Sequence, residues 1–133
     1  MLCRYARVGK DSRREFDAFT RSYFLERETL VMVMQLVDSS IPPQKTDLEY
    51  SYWLADNEVP FTLVFTKADK RKKGQPKQTD NMTAYKRALV EDMGFTVVPP
   101  CLLTSAESGA GKRELLNYVS SLRVVYEQGQ KGP

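Results

Sequence analysis

Apolar residues fall along this chain in three short runs, separated by stretches in which they return every third or fourth position. "LVMVMQLV" (30–37) is apolar except at Gln35, and "VPFTLVFT" (59–66) is a second run. The third lies within "TVVPPCLLT" (96–104), where Pro99 and Pro100 delay strand pairing until about Cys101. Runs without polar alternation mark strands covered on both faces, as in a parallel sheet between helix layers. Between them the spacing is helical. Phe16, Phe19 and Tyr23 follow a capping candidate at Asp11 or Ser12, and Thr46 with Glu49 forms a capping box ahead of Trp53 and Leu54. Met82, Tyr85, Leu89 and Met93 make a stripe that Gly94 can end, and Leu115, Val119, Leu122 and Tyr126 line a last helix. The order helix, strand, helix, strand, helix, strand, helix predicts an α/β fold with three parallel strands and flanking helices in three layers. Right-handed crossovers then place successive strands side by side, with their C-terminal ends along one edge, where open α/β sheets bind ligands.

Composition narrows the chemistry. The 133 residues, 41% hydrophobic and 28% charged, suit one small domain, and a net charge of +3 does not by itself demand a polyanionic partner. No apolar run approaches the ~20 residues that span a bilayer, and "MLCRYARVGK" lacks the apolar core of a signal peptide, so no membrane partner is expected. Cys3 and Cys101 stand in no metal-binding or CxxC spacing, which fits reduced thiols in a reducing intracellular compartment. The chain has no histidine. That excludes Ser-His-Asp and Cys-His nucleophiles and most transition-metal sites, leaving carboxylates, lysines and backbone groups to carry any chemistry.

The glycine-rich stretch "TSAESGAGKREL" (104–115) looks at first like a phosphate loop. The G-x-x-x-x-G-K-[ST] pattern needs a first glycine where Ala106 stands and a hydroxyl where Arg113 stands, so the match fails at both ends. A different pairing fits better. "TKAD" (Thr66, Lys67, Ala68, Asp69) follows the second strand and "TSA" (Thr104, Ser105, Ala106) follows the third, so the two loops should be neighbours in space. Together they resemble the [NT]-K-x-D and S-A base-reading motifs of P-loop GTPases. Guanine offers N1–H and its N2 amine as adjacent donors, which one carboxylate such as Asp69 accepts bidentately; adenine lacks that pair, a difference worth ~1–3 kcal/mol by analogy with other bidentate base contacts. The resemblance implies that Lys67 lays its methylene stem along the purine and ribose, and that the Ala106 N–H donates to guanine O6. It also implies that Thr66, in place of the commoner asparagine, ties the two loops together, with Ser105 completing the site.

The surrounding residues narrow the family. "DSSIPPQKTD", followed by Trp53-Leu54, "LVFTKADK" and "SAESGAGKREL", resembles the EngB-type GTP-binding proteins, whose pattern is D-x-R-x-x-P-x-x-x-D, then W, then L-T-K-A-D-K. "YARV" near the start resembles the end of that family's G-Y-G-Y-A segment. Ser40 departs from it, standing where the family has arginine, as do Leu2 and Arg4, which replace two glycines. The resemblance covers residues 1–133 as the C-terminal part of an EngB-type G domain, without its phosphate loop, switch threonine and D-x-x-G region. It implies a GTP or GDP ligand, with Mg²⁺ held only by the full-length domain, and a role in assembly of the large ribosomal subunit. It also suggests the bacterial cytoplasm, a mitochondrion or a plastid. Base contacts alone should bind weakly, since a nest of N–H groups, a lysine and a hydroxyl hold the triphosphate and metal in such domains. A truncated chain would then be weak or inactive as a GTPase, and its strand at 30–37 would present an open apolar edge prone to association.

An alternative of a different class is a nonenzymatic RNA- or ribosome-binding module. Lys67, Lys70, Arg71, Lys72, Lys73 and Lys77 crowd one loop with only Asp69 opposing them, and could meet ribosomal RNA phosphates. No aromatic residue interleaves to stack a base, which favours a plain solvated loop.

Overall fold

The computed structural model describes residues 18, 20, 22–26, 30–71 and 73–130. The expected caps at Asp11 and Ser12, the rings of Phe16 and Phe19, Cys3, the "YARV" segment and Lys72 lie outside them. After a helical stretch at 22–26 come β1 (Val33–Asp38), α1 (Lys45–Asp56), β2 (Phe61–Thr66), α2 (Gln78–Glu91), β3 (Cys101–Leu103) and α3 (Lys112–Gln130). The strands form one parallel sheet in the order β1-β2-β3, as consecutive crossovers require. Val33 is level with Phe61 and Asp38 with Thr66, while Leu63 is level with Cys101 and Phe65 with Leu103. That register sets the ends of β1 and β2 flush, so the loops leaving them start side by side.

The two faces of the sheet are covered unequally. Val33, Gln35 and Val37 share one face with Leu63 and Phe65, and this face meets Leu54 of α1 and Tyr85 and Leu89 of α2 in a closed core. Phe65 stacks edge-on against Tyr85 with centroids 5.6 Å apart, and Phe61 against Phe95 at 6.5 Å. Gln35, which interrupts the apolar run, lies in this core at 1% exposure, where a buried amide is tolerated only if its polar atoms find partners. Its Nε2 donates to the Asp47 carbonyl at 2.8 Å, and the Ser51 hydroxyl donates to its Oε1 at 2.6 Å. Ser51 also lies 2.7 Å from the Tyr85 hydroxyl. Desolvation of that phenol pushes its pKa well above the usual tyrosine value. One small polar network therefore joins β1, α1 and α2.

The opposite face carries α3. Thr62 Oγ1 and the Tyr118 hydroxyl meet at 2.5 Å, fixing that helix over β2. Met34 and Leu36 on this face are only half-buried, although an unbroken apolar run implies burial on both faces. The reason is geometric: β1 is the edge strand, pairing only with β2 among the described residues, and Tyr23 with Val119, Leu122 and Tyr126 of α3 leaves an open groove beside Met34.

Helix ends also bear on the expected signals. α1 begins at Lys45 behind Gln44, whose backbone is extended and whose side chain caps nothing, so Thr46 sits in the first turn and the expected capping box does not form. Gly94 does close the end of α2: at φ +75 it turns the chain so that the Phe95 N–H reaches the Leu89 carbonyl at 3.0 Å. Of the last helical stripe, Leu115, Leu122 and Tyr126 are partly buried, while Val119 remains 45% exposed.

Candidate guanine-reading site

Three loops leave the C-terminal edge of the sheet and are bound to one another before any ligand is considered. The β1 loop joins the β2 loop through the Ser39 N–H and hydroxyl, which donate to the Thr66 carbonyl at 3.1 and 2.5 Å. Asn81 of α2 donates to the Ser39 carbonyl at 2.9 Å from a buried position, holding this junction from below. The β2 loop joins the β3 loop through the Ala68 N–H, which donates to the Thr104 carbonyl at 3.0 Å. Thr104 reaches back to the Phe65 carbonyl with its N–H at 2.7 Å and its hydroxyl at 3.1 Å. Thr66 does not make this tie: its hydroxyl faces the Val37 carbonyl at 3.5 Å, toward β1 instead. With the Ala68 and Thr104 backbone already joining the loops, a short hydroxyl at the strand end finds the neighbouring strand first.

The glycine-rich stretch has a structural task here. Gly111 lies at φ +75, and a Cβ placed on it would stand 2.1 Å from the Leu103 carbonyl oxygen. Only a residue without a side chain lets the chain return against the end of β3 and enter α3. The turn is closed by the Ser105 N–H donating to the Ala110 carbonyl and the Gly109 N–H to the Ser105 carbonyl, both at 3.0 Å. This bend holds Ser105 buried, at 3% exposure, with its hydroxyl toward the β2 loop.

That hydroxyl donates to Asp69 Oδ1 at 2.5 Å, so the "TKAD" and "TSA" motifs do meet. The bond is the main reason the Asp69 carboxyl lies below the usual carboxylate range, with Lys70 adding to the effect, so Asp69 is ionised at neutral pH. An ionised carboxylate accepts hydrogen bonds only, as reading a pair of donors requires. Ala106, next in the chain, is exposed, and its N–H has no acceptor among the described residues. Lys67 sits at φ +59, an uncommon conformation for a residue with a side chain, and its Nζ pairs with Asp38 Oδ2 at 2.8 Å. Burial would push the Asp38 carboxyl up, but the bonds from Lys67 and from the Ser40 hydroxyl and N–H outweigh it and leave its pKa lowered. Ser40 caps this turn through Asp38 Oδ1, with its N–H at 2.8 Å and its hydroxyl at 2.6 Å.

Asp38, Ser40, Ile41, Pro42, Lys67 and Asp69 line a cleft of about 730 Å³, together with Lys70, Arg71 and Gln75. Its volume suits a small organic ligand. Ser105 and Ala106 do not line it: Ser105 is buried against Asp69, and Ala106 lies on the surface of the next loop. The basic loop is less free than its composition implies. Lys67 is paired with Asp38, Lys70 Nζ lies 2.7 Å from Glu107 Oε2 and 3.6 Å from Asp69 Oδ2, and Arg71 Nε donates to the Gln75 carbonyl at 3.4 Å. Lys73 and Lys77 are exposed. One group escaped the sequence reading: Glu107 could have been found as an acid following "TSA" opposite a base following "TKAD". Asp47 was read as the last residue of "DSSIPPQKTD", but its partial burial was not, since that depends on how α1 packs. No group of three or more acidic or cysteine side chains among the described residues could hold a metal ion, and no helix among them is long and apolar enough to cross a membrane.

Comparison with known proteins bears directly on these loops. No protein-family model matches the chain. A GTP-binding protein of Arabidopsis thaliana is 45% identical over 125 residues, which is 93% of this chain and 41% of that protein. A probable GTP-binding protein EngB of Bacteroides fragilis is 41% identical over 118 residues, 89% of this chain and 57% of that one. Its counterpart in Porphyromonas gingivalis is 42% identical over 118 residues, again 57% of its length. The chain is a relative of the EngB-type GTP-binding proteins. It spans about half the length of the curated relatives it matches. Among solved structures, the apo translation elongation factor SelB of Methanococcus maripaludis superposes with a TM-score of 0.56 at 20% identity, covering 68% of this chain and 19% of SelB. That likeness supports the fold alone, a parallel three-stranded sheet with flanking helices.

Proposed function

We propose that residues 1–133 are the C-terminal part of an EngB-type G domain and that the edge built by Thr66, Lys67, Asp69, Ser105 and Ala106 binds the guanine base of GTP or GDP. One observation carries this reading: the Ser105 hydroxyl donates to the Asp69 carboxylate across the two loops, and the next residue, Ala106, has an N–H with no acceptor among the described residues. Asp69 accepts guanine N1–H and the N2 amine, Ala106 donates to O6, and the stem of Lys67 flanks the ring. Residues 1–133 contain no complete G-x-x-x-x-G-K-[ST] pattern, so the loop that would cradle the phosphates is not among them. By themselves they bind guanine nucleotide weakly and do not hydrolyse it. EngB-type relatedness extends the proposal to assembly of the large ribosomal subunit.

Titration of the chain with GDP and with xanthosine diphosphate tests the base assignment. Asp69→Asn replaces an acceptor by a donor at one position, so GDP affinity should fall by about 1–3 kcal/mol while xanthosine diphosphate, which carries an oxygen at C2, gains. Equal GDP binding by both chains refutes it. A ribosomal RNA contact is the second reading, favoured by the exposure of Arg71, Lys73 and Lys77. It predicts RNA retention that falls steeply with salt and persists in Asp69→Asn.

A further inference from the structure

Among the described residues, Lys70 is the cation paired with the carboxylate that the proposed function uses, and it has two acids to choose between. Its Nζ lies 2.7 Å from Glu107 Oε2 and 3.6 Å from Asp69 Oδ2. Asp69 Oδ1 already accepts from Ser105 and keeps one lone pair for a ligand, so Oδ2 is the oxygen with more room for a ligand donor. A lysine drawn fully onto Oδ2 would occupy it and compete as a charged donor with the neutral donors of the base. Resting on the guanine reading above, we infer that Glu107 is a positioning residue that holds Lys70 away from Asp69 and so keeps the base-reading oxygen open.

The geometry suits that task. Glu107 follows Ser105 and Ala106 on the β3 loop, while Lys70 follows Asp69 on the β2 loop, so their ion pair bridges the same two loops as the Ser105–Asp69 bond, one step further out. The Gln78 amide donates to the Lys70 carbonyl and the Lys70 N–H donates to the Lys67 carbonyl at 3.0 Å, so the lysine backbone is fixed and only its side chain has to choose. Both ions are half-exposed or more, at 52% and 69%, so switching partners costs little and the preference is small but readable.

The test is a set of substitutions read by GDP titration and by the carboxyl resonance of Asp69. Glu107→Gln should weaken GDP binding about fivefold, the size of a solvated ion pair, and Lys70→Ala added to it should recover most of the loss. A purely structural role for Glu107 gives no such recovery, since the second substitution removes a further contact. Equal affinity of Glu107→Gln and the unaltered chain, or a double variant no better than Glu107→Gln, overturns the inference while the guanine reading stands. If Asp69→Asn binds GDP as well as the unaltered chain, or nothing binds, the guanine reading fails instead. The lysine switch is then judged without nucleotide: Glu107→Gln must lower the Asp69 titration midpoint more when residue 70 is lysine than when it is alanine. An equal shift in the two backgrounds overturns it.

Discussion

The two faces of the sheet differ in how completely they are closed. On the α1 and α2 face, Leu63 and Leu89 have no exposure, Phe65 and Tyr85 have 1%, and the buried amide of Gln35 is satisfied. On the α3 face, Met34 and Leu36 are half-open, and the helix itself leaves Leu116 at 57%, Val124 at 51% and Val125 at 62% exposure. The closed face therefore supplies the rigid platform beneath the β1 and β2 loops, through Asn81 and the register of the strand ends. The open face contributes less stability per residue.

The largest expected effect tests that division. Leu89→Ala on the closed face removes a side chain with no exposure from a dense cluster and should cost about 2–5 kcal/mol in denaturant unfolding, a large part of the stability of a small domain. Leu116→Ala on α3 should cost under about 1 kcal/mol, because an exposed side chain has little burial to lose. Comparable losses at the two positions would mean that the faces are equally closed in solution.

The closed face was largely legible in the sequence. Tyr85 and Leu89 were marked by helical spacing, the three strands by apolar runs, and the termination of α2 by Gly94, because each follows from local periodicity or a local backbone need. Gln35 was legible only as an interruption: its partners Ser51 and Tyr85 lie on other elements, and nothing local announces them. The Thr46 and Glu49 capping box failed for the opposite reason, a local signal overruled when packing started the helix at Lys45. At the site, "TKAD" and "TSA" were readable as motifs and their meeting followed from strand order. The partners chosen by Lys67 and Lys70 were not, since an exposed lysine has several acids within reach and geometry decides among them.

Asp47 offers an intermediate effect of opposite sign, on the closed side. Burial, with help from the neighbouring negative charge of Asp38, raises its carboxyl to about 6 from an ordinary value of 3.8. The folded state thus binds a proton more tightly than the unfolded chain, so stability falls as pH rises from about 4 to about 6 and stays lowered above that. Asp47→Asn removes the ionisation and, discounted for a carboxyl that is only partly buried, should stabilise the protein by about 1–2 kcal/mol at pH 7, with no gain near pH 3.5. Thermal melts of both chains across that range check it. A gain independent of pH would assign the effect to packing and remove Asp47 from the account.

The smallest expected effect concerns the open face. Val125 is exposed on α3, and a lysine there raises the helix propensity of the site slightly while adding a solvated charge. If the helix faces water, Val125→Lys should shift stability by no more than about 0.5 kcal/mol in either direction and leave sedimentation unchanged. If copies of the chain associate through this face or through the adjoining edge of β1, a charge in the contact should reduce the associated fraction as concentration rises. A loss well above 1 kcal/mol at low concentration would show that Val125 is buried within the single chain, and the contrast between the two faces would no longer hold.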